Sequence, residues 1–120
     1  MPQILLQCTQ NVLEKNLDSL LLDIHKTLAE NLPTQMDSCK TRVMRHEEYL
    51  VGDGSPKKAF VHLSIGVLPG RTTELLNTVA AILMEKLKAA FQQSLSELEL
   101  QITIAIQDLP AVYHKFISIS

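Results

Sequence analysis

AFVHLSIGVLPGRTTELL, residues 59–76, changes its hydrophobic period part-way along, and the fold is decided at that change. Val61, Leu63, Ile65 and Val67 alternate with Phe60, His62 and Ser64. That period of two predicts a strand with one buried face. Pro69-Gly70 turns the chain. Thr72 or Thr73 then caps a helix, with Glu74 favourably placed against the positive end of its dipole. Leu75, Leu76, Val79, Leu83, Leu87, Ala90 and Phe91 follow at helical spacing, so the helix is expected to run to about residue 94. The stretch QITIAIQDL, residues 101–109, returns to a strand with Ile102, Ile104 and Ile106 on one face, and Pro110 ends it.

The first half of the chain repeats this order. Pro2 to Cys8 reads as a short strand, with Pro2 at the one strand position where a missing N–H costs little. Asn11 and Glu14 have the spacing of a capping box. With Leu13, Leu17, Leu20, Leu21, Ile24 and Leu28 they predict a helix over residues 12–31, stopped by Pro33. KTRVMRHEEYL, residues 40–50, predicts a strand with one open face, and GDGSPKK, residues 52–58, a turn. The strand starts at Pro2 and Phe60 are offset by about 58 residues, and those at Thr41 and Gln101 by about 60. The expected architecture is therefore α+β in two layers. Tandem β-α-β units, residues 2–57 and 58–120, form one mixed sheet with two helices on one face, each crossover right-handed. The tail through Tyr113, Phe116, Ile117 and Ile119 predicts a short strand or hairpin.

A chain of 120 residues, 46% hydrophobic but only 4% aromatic, is one domain with an aliphatic core. A net charge of −2 with no clustered basic footprint argues against nucleic acid as a partner. The longest apolar stretch, Val79 to Met84, is too short to span a membrane, and the N-terminus lacks a basic lead to a signal peptide. Cys8 and Cys39 form no Cys-x-x-Cys motif, so a cytoplasmic protein with reduced thiols is expected, Cys8 acting as a small buried hydrophobe. His25, His46, His62 and His114 have no metal-ligand spacing, and His62 reads as a hydrogen-bonded structural residue. Glycine-rich phosphate loops and nucleophile elbows are absent.

Three cations stand out. Arg71 precedes a helix, where a positive charge is disfavoured by roughly 0.3–1 kcal/mol and where free backbone N–H groups suit an anion. Lys40 and Arg42 alternate onto one face of their strand, about 7 Å apart from the strand rise. Arginine offers a fork suited to carboxylates and lysine a point charge. Taken one at a time, each reads better as a solvated surface side chain than as an anion ligand.

The MPQILLQC start, TRV at Thr41–Val43, AFVH leading to Gly70-Arg71, and TTELL together resemble the 5-carboxymethyl-2-hydroxymuconate isomerase family of the tautomerase superfamily. The resemblance covers nearly the whole chain, from Pro2 to near Phe116. It implies a doubled β-α-β fold that assembles as a homotrimer and a cofactor-independent isomerase (no metal, no organic cofactor). Its substrate would be an unsaturated di- or tricarboxylate from aromatic compound catabolism. It further implies that Pro2, once Met1 is removed, is general base and then acid, with Arg42 and Arg71 holding carboxylates and Lys40 an accessory cation. Where the family pattern has a second arginine two positions before Arg42, this chain has Lys40, which keeps the charge and loses the fork. An α-amino group, ordinarily near pKa 7.7–8.0, becomes a better base at neutral pH when burial and neighbouring cations disfavour its ammonium form. The alternatives behind this leading reading are phenylpyruvate-type tautomerisation, hydration or dehalogenation, or a cytokine-like trimeric binding protein.

Overall fold

A computed structural model describes residues 1–118. Strand β1 (Gln3–Thr9) and strand β3 (Lys58–Val67) form the centre of the sheet, flanked by β2 (Lys40–His46) and β4 (Glu99–Asp108) in the order β2-β1-β3-β4. β1 pairs parallel with β2, and β3 parallel with β4, while β1 and β3 run antiparallel. Each parallel pair needs a crossover. Helix α1 (Asp18–Asn31) supplies the first and α2 (Thr73–Ala90) the second. The two helices pack against each other on one face of the sheet. The expected doubled β-α-β architecture is the observed one.

Alternation decides which side chains reach the core. Ile4, Leu6 and Cys8 of β1 and Ala59, Val61, Leu63, Ile65 and Val67 of β3 are buried beneath Leu20, Ile24 and Leu28 of α1 and Val79, Leu83 and Leu87 of α2. Each fully buried aliphatic side chain contributes about 1.5–3 kcal/mol. On β4, Leu100, Ile102, Ile104 and Ile106 face the same core from the edge. The opposite sheet face is open. It carries Gln3, Leu5 and Gln7 beside Lys40, Arg42 and Met44, and His62, whose Nδ1 lies 2.6 Å from Thr103 Oγ1. The two units also begin alike: the Lys40 N–H donates to Pro2 O at 3.3 Å, and the Glu99 N–H to Lys57 O at 2.9 Å.

Four expectations are corrected. Helix α1 starts at Asp18 rather than near residue 12, because Asn11 and Glu14 are spent on tertiary contacts. Asn11 Nδ2 donates to Lys58 O at 2.9 Å, and the Glu14 carboxylate accepts from the Ser94 N–H at 3.1 Å and from Ser94 Oγ. The last helical run is not continuous to residue 94. It breaks at buried Phe91, after which a short helix α3 (Gln92–Glu97) takes the Glu14 carboxylate at its positive end. β2 ends at His46, opposite the last residue of β1, so Tyr49 and Leu50 lie beyond the ladder. The tail forms neither strand nor hairpin up to residue 118: Pro110 lacks an N–H for a ladder, and Tyr113 is bonded to a side chain of β1. Ile119 lies outside the described residues. Thr72, of the two threonines, is the cap of α2, its hydroxyl accepting from the Leu75 N–H at 3.1 Å.

Ser94 is fully buried, and its hydroxyl also accepts from the Leu13 N–H at 2.9 Å. Ser94→Ala strands that amide and half of the Glu14 carboxylate, and an unsatisfied buried group costs about 1–3 kcal/mol. The expected result in urea is a lower unfolding midpoint at unchanged m-value.

Candidate functional site

The strand pairings bring four chain segments to one end of the sheet. Parallel pairing sets Gln3 against Lys40, so the N-terminus lies beside the start of β2. Antiparallel pairing sets Gln3 against Gly66, so the N-terminus also lies beside the exit of β3, which leads through Pro69-Gly70 to Arg71. β4 ends at the same level, Val67 pairing with Asp108, and from there the tail begins. Gly70 has φ +112°, a conformation that side chains disfavour, and it turns the chain into α2. Arg71 Nη1 donates to Leu68 O at 2.7 Å, while its Nε is buried without a hydrogen-bond partner among the described residues.

Of the residues singled out by the sequence, Pro2, Lys40 and Arg71 meet here. Pro2 is buried, and the amine of Met1 next to it is held below its ordinary value near 8.0. Burial is the largest cause, followed by the charges of Arg71, Lys115 and Lys40; Cys39 acts weakly the other way. Arg42 does not join this group. It lies on the open face across from Leu5, where its Nη1 donates to Gln3 Oε1 at 2.9 Å, and Gln3 Nε2 donates to the Tyr113 hydroxyl at 2.9 Å.

Lys115 is the residue that the sequence reading missed. Its Nζ lies 2.7 Å from Met1 Sδ. A lone lysine in an irregular tail has no periodicity or motif to mark it, and only the tail's path brings it to the N-terminus. Between the tail and the 3-10 turn Met36–Ser38 is a cavity of about 500 Å³, lined by Lys40, Lys115, Ser38 and Asp37 among others. Among the described residues, none of Lys40, Arg42, Arg71 and Lys115 has a carboxylate within 4.0 Å, whereas Lys58, Lys86 and Lys88 do. No group of three or more His, Cys, Asp or Glu side chains suited to a metal occurs among the described residues.

A sheet of two β-α-β units under two helices, with its N-terminus ringed by cations, is the tautomerase fold. A family model for 5-carboxymethyl-2-hydroxymuconate isomerase matches residues 2–117, and the chain belongs to that family; it is an isomerase. The chain is 24% identical over 110 residues to 5-carboxymethyl-2-hydroxymuconate Delta-isomerase of Escherichia coli, covering 91% of this chain and 87% of that one. It superposes on a 5-carboxymethyl-2-hydroxymuconate isomerase from Deinococcus radiodurans R1 with a TM-score of 0.86 at 24% identity, over 95% of this chain and 88% of that one. A fused 4-OT wild-type symmetric trimer shares the fold at a TM-score of 0.65 and 14% identity, over 89% of this chain and 85% of that one.

Because Arg71 lowers the amine's pKa by disfavouring the ammonium, Arg71→Ala raises it, though burial still holds it under its ordinary value. The pH dependence of N-terminal acylation by a small reagent measures the shift. An unchanged or lower value contradicts this placement of the guanidinium.

Proposed function

We propose that the chain converts an unsaturated, carboxylated 2-hydroxy acid, 5-carboxymethyl-2-hydroxymuconate or a close analogue, to its 2-oxo isomer, with the nitrogen of Pro2 as proton carrier. Removal of Met1 exposes that nitrogen as a secondary amine one residue inward of the present terminus. The amine takes the proton from the 2-hydroxyl, the O–H electron pair becomes the carbonyl, and the conjugated double bonds shift. A distal carbon then takes the proton back from the prolinium. Arg71 binds a carboxylate, with Lys40 as an accessory cation, and Arg42, which stands outside this corner on the open face of its own chain, binds a second carboxylate at the site of a neighbouring protomer. Their charge stabilises the electron density that builds up along the conjugated acid.

The observation that carries this reading is the group of cations, without carboxylate partners among the described residues, around a partly buried N-terminal amine whose pKa is depressed. In a chain with a net charge of −2, like charges gathered without counter-ions favour an anionic ligand. The partnerless Nε of Arg71 adds a buried donor whose cost an acceptor would relieve. A base near the working pH is an efficient proton carrier, worth about 10²–10⁴-fold in rate.

The decisive experiment replaces Pro2 with a bulky residue that prevents Met1 removal, such as Pro2→Leu. The expected protein keeps Met1 by intact mass, keeps its far-UV circular dichroism, and loses at least about a hundredfold in kcat/KM on the enol acid. Full activity in that variant overturns the mechanism. In the processed wild type, the acidic limb of kcat/KM against pH lies below the ordinary α-amino range of about 7.7–8.0, since protonation removes the base.

The assembly belongs to the same reading. The face of the sheet opposite the helices exposes Met44 at 48% and also carries Leu5 and Phe60. A homotrimer covers such a face, and sedimentation is expected to give three times the chain mass of 13.4 kDa. A monomer at micromolar concentration contradicts it. The free thiols Cys8 and Cys39 favour a reducing compartment, the cytoplasm, and the carboxylated substrate places the reaction in aromatic compound catabolism.

A further inference from the structure

We infer that Lys115, carried by the C-terminal tail, is a substrate-binding residue that selects ligands with an additional carboxylate, binding it in the cavity between the tail and the 3-10 turn at Met36–Ser38. The inference deepens the proposed function and rests on that site being a carboxylate site.

The tail is held in place by contacts that a solvated terminus would not need. The Leu109 N–H donates to Val67 O at 2.7 Å, and the Leu109 side chain occupies the space above Gly66, where a Cβ would lie 2.7 Å from Leu109 Cδ2. Four residues on, the Tyr113 hydroxyl accepts from Gln3 Nε2, and Gln3 in turn accepts from Arg42. The tail is thus fixed to β1 and β3 on both sides of Pro110, and Lys115 follows within two residues of the second anchor. Its ammonium ends beside Met1, with a thioether sulfur at 2.7 Å as its partner. A thioether is a weak acceptor and a poor match for an ammonium with three donors. Loss of Met1 removes that contact.

Lys115 and Lys40 line the same cavity of about 500 Å³, with Asp37 the acidic group among its lining residues. Among the described lining residues, two ammonium groups stand against one carboxylate, a positive excess, and Arg71 adds to the field at the amine. Two lysines are point charges without the fork of arginine, so they favour a mobile, flexible carboxylate arm over a rigid one. Arg71 and Lys115 approach the amine from different segments, which suits a ligand whose carboxylates diverge. The di- or tricarboxylate class is that of the proposed substrate, and Lys115 accounts for its preference over a monocarboxylate.

The test is calorimetric titration of the Met1-processed protein with propane-1,2,3-tricarboxylate and with butyrate, in wild type, Lys115→Ala and Lys115→Arg. Loss of a charge-assisted contact weakens the tricarboxylate about ten- to hundredfold in Lys115→Ala, leaves butyrate within about twofold, and is largely restored in Lys115→Arg. Equal affinity of wild type and Lys115→Ala for the tricarboxylate overturns the inference. So does an equal loss for both ligands that arginine does not rescue, or no tricarboxylate binding in wild type. Because the readout is binding, absence of turnover on any enol acid overturns the proposed reaction without deciding the role of Lys115.

Discussion

The antiparallel pairing of β1 with β3 is the constraint from which the rest follows. Either β-α-β unit alone would expose the inner edge of its first strand and leave a helix half-covered. Joining them along β1 and β3 pairs both edges, closes the core between α1 and α2, and sets the direction of every other strand. It also decides which ends coincide. With β1 running against β3, the beginning of the chain meets the exit of β3, and the parallel partners add the start of β2 and the exit of β4. A partly buried N-terminal amine, a loop arginine, a strand lysine and a tail lysine share one corner for that reason, without any contact in sequence.

The electrostatic consequence is a fold that holds like charges together. Elsewhere on the surface three lysines have carboxylate partners: Lys58 with Asp53, Lys86 with Asp23, Lys88 with Glu85. Such exposed pairs are each worth roughly 0–1 kcal/mol, so their value lies less in stability than in contrast. At the N-terminal corner the cations take backbone, amide and sulfur partners instead: Leu68 O, Ser38 O, Gln3 Oε1 and Met1 Sδ. These orient the side chains without neutralising them, which is what an anion site requires.

Much of the scaffold was legible because it depends on periodicity. The alternation Val61-Leu63-Ile65-Val67 and the helical spacing of Val79, Leu83 and Leu87 specify which faces are buried, and the sheet follows. Where the reading failed, a local signal had been taken by a distant partner. Asn11 and Glu14 have the spacing of a helix start, yet their side chains tie down Lys58 and Ser94, which lie 47 and 80 residues away in the chain. Phe91 fits the helical stripe and still ends the helix, since its burial at the turn into α3 outweighs helix continuation. The site divides in the same way. Pro2 and Arg71 stood out by position and Lys40 by alternation, but Arg42 turned to Gln3, and Lys115 depended on the tail's course over Gly66.

The matching bonds from Lys40 to Pro2 and from Glu99 to Lys57 mark two equivalent corners, exchanged by the pseudo-twofold relating the units. One corner holds a chain terminus. At the other, the equivalent of Pro2 is Lys57, in mid-chain, where its nitrogen is an amide and can accept no proton. If the reaction runs through the N-terminal nitrogen as proposed, covalent linkage of the two units leaves one usable amine for two corners of the same architecture. Freed from that chemistry, the second corner carries Glu99 where the first has Lys40, and nearby Asn11 holds the backbone of Lys58. Under the proposed mechanism, half of the fold is thus released to serve as the scaffold on which the other half reacts.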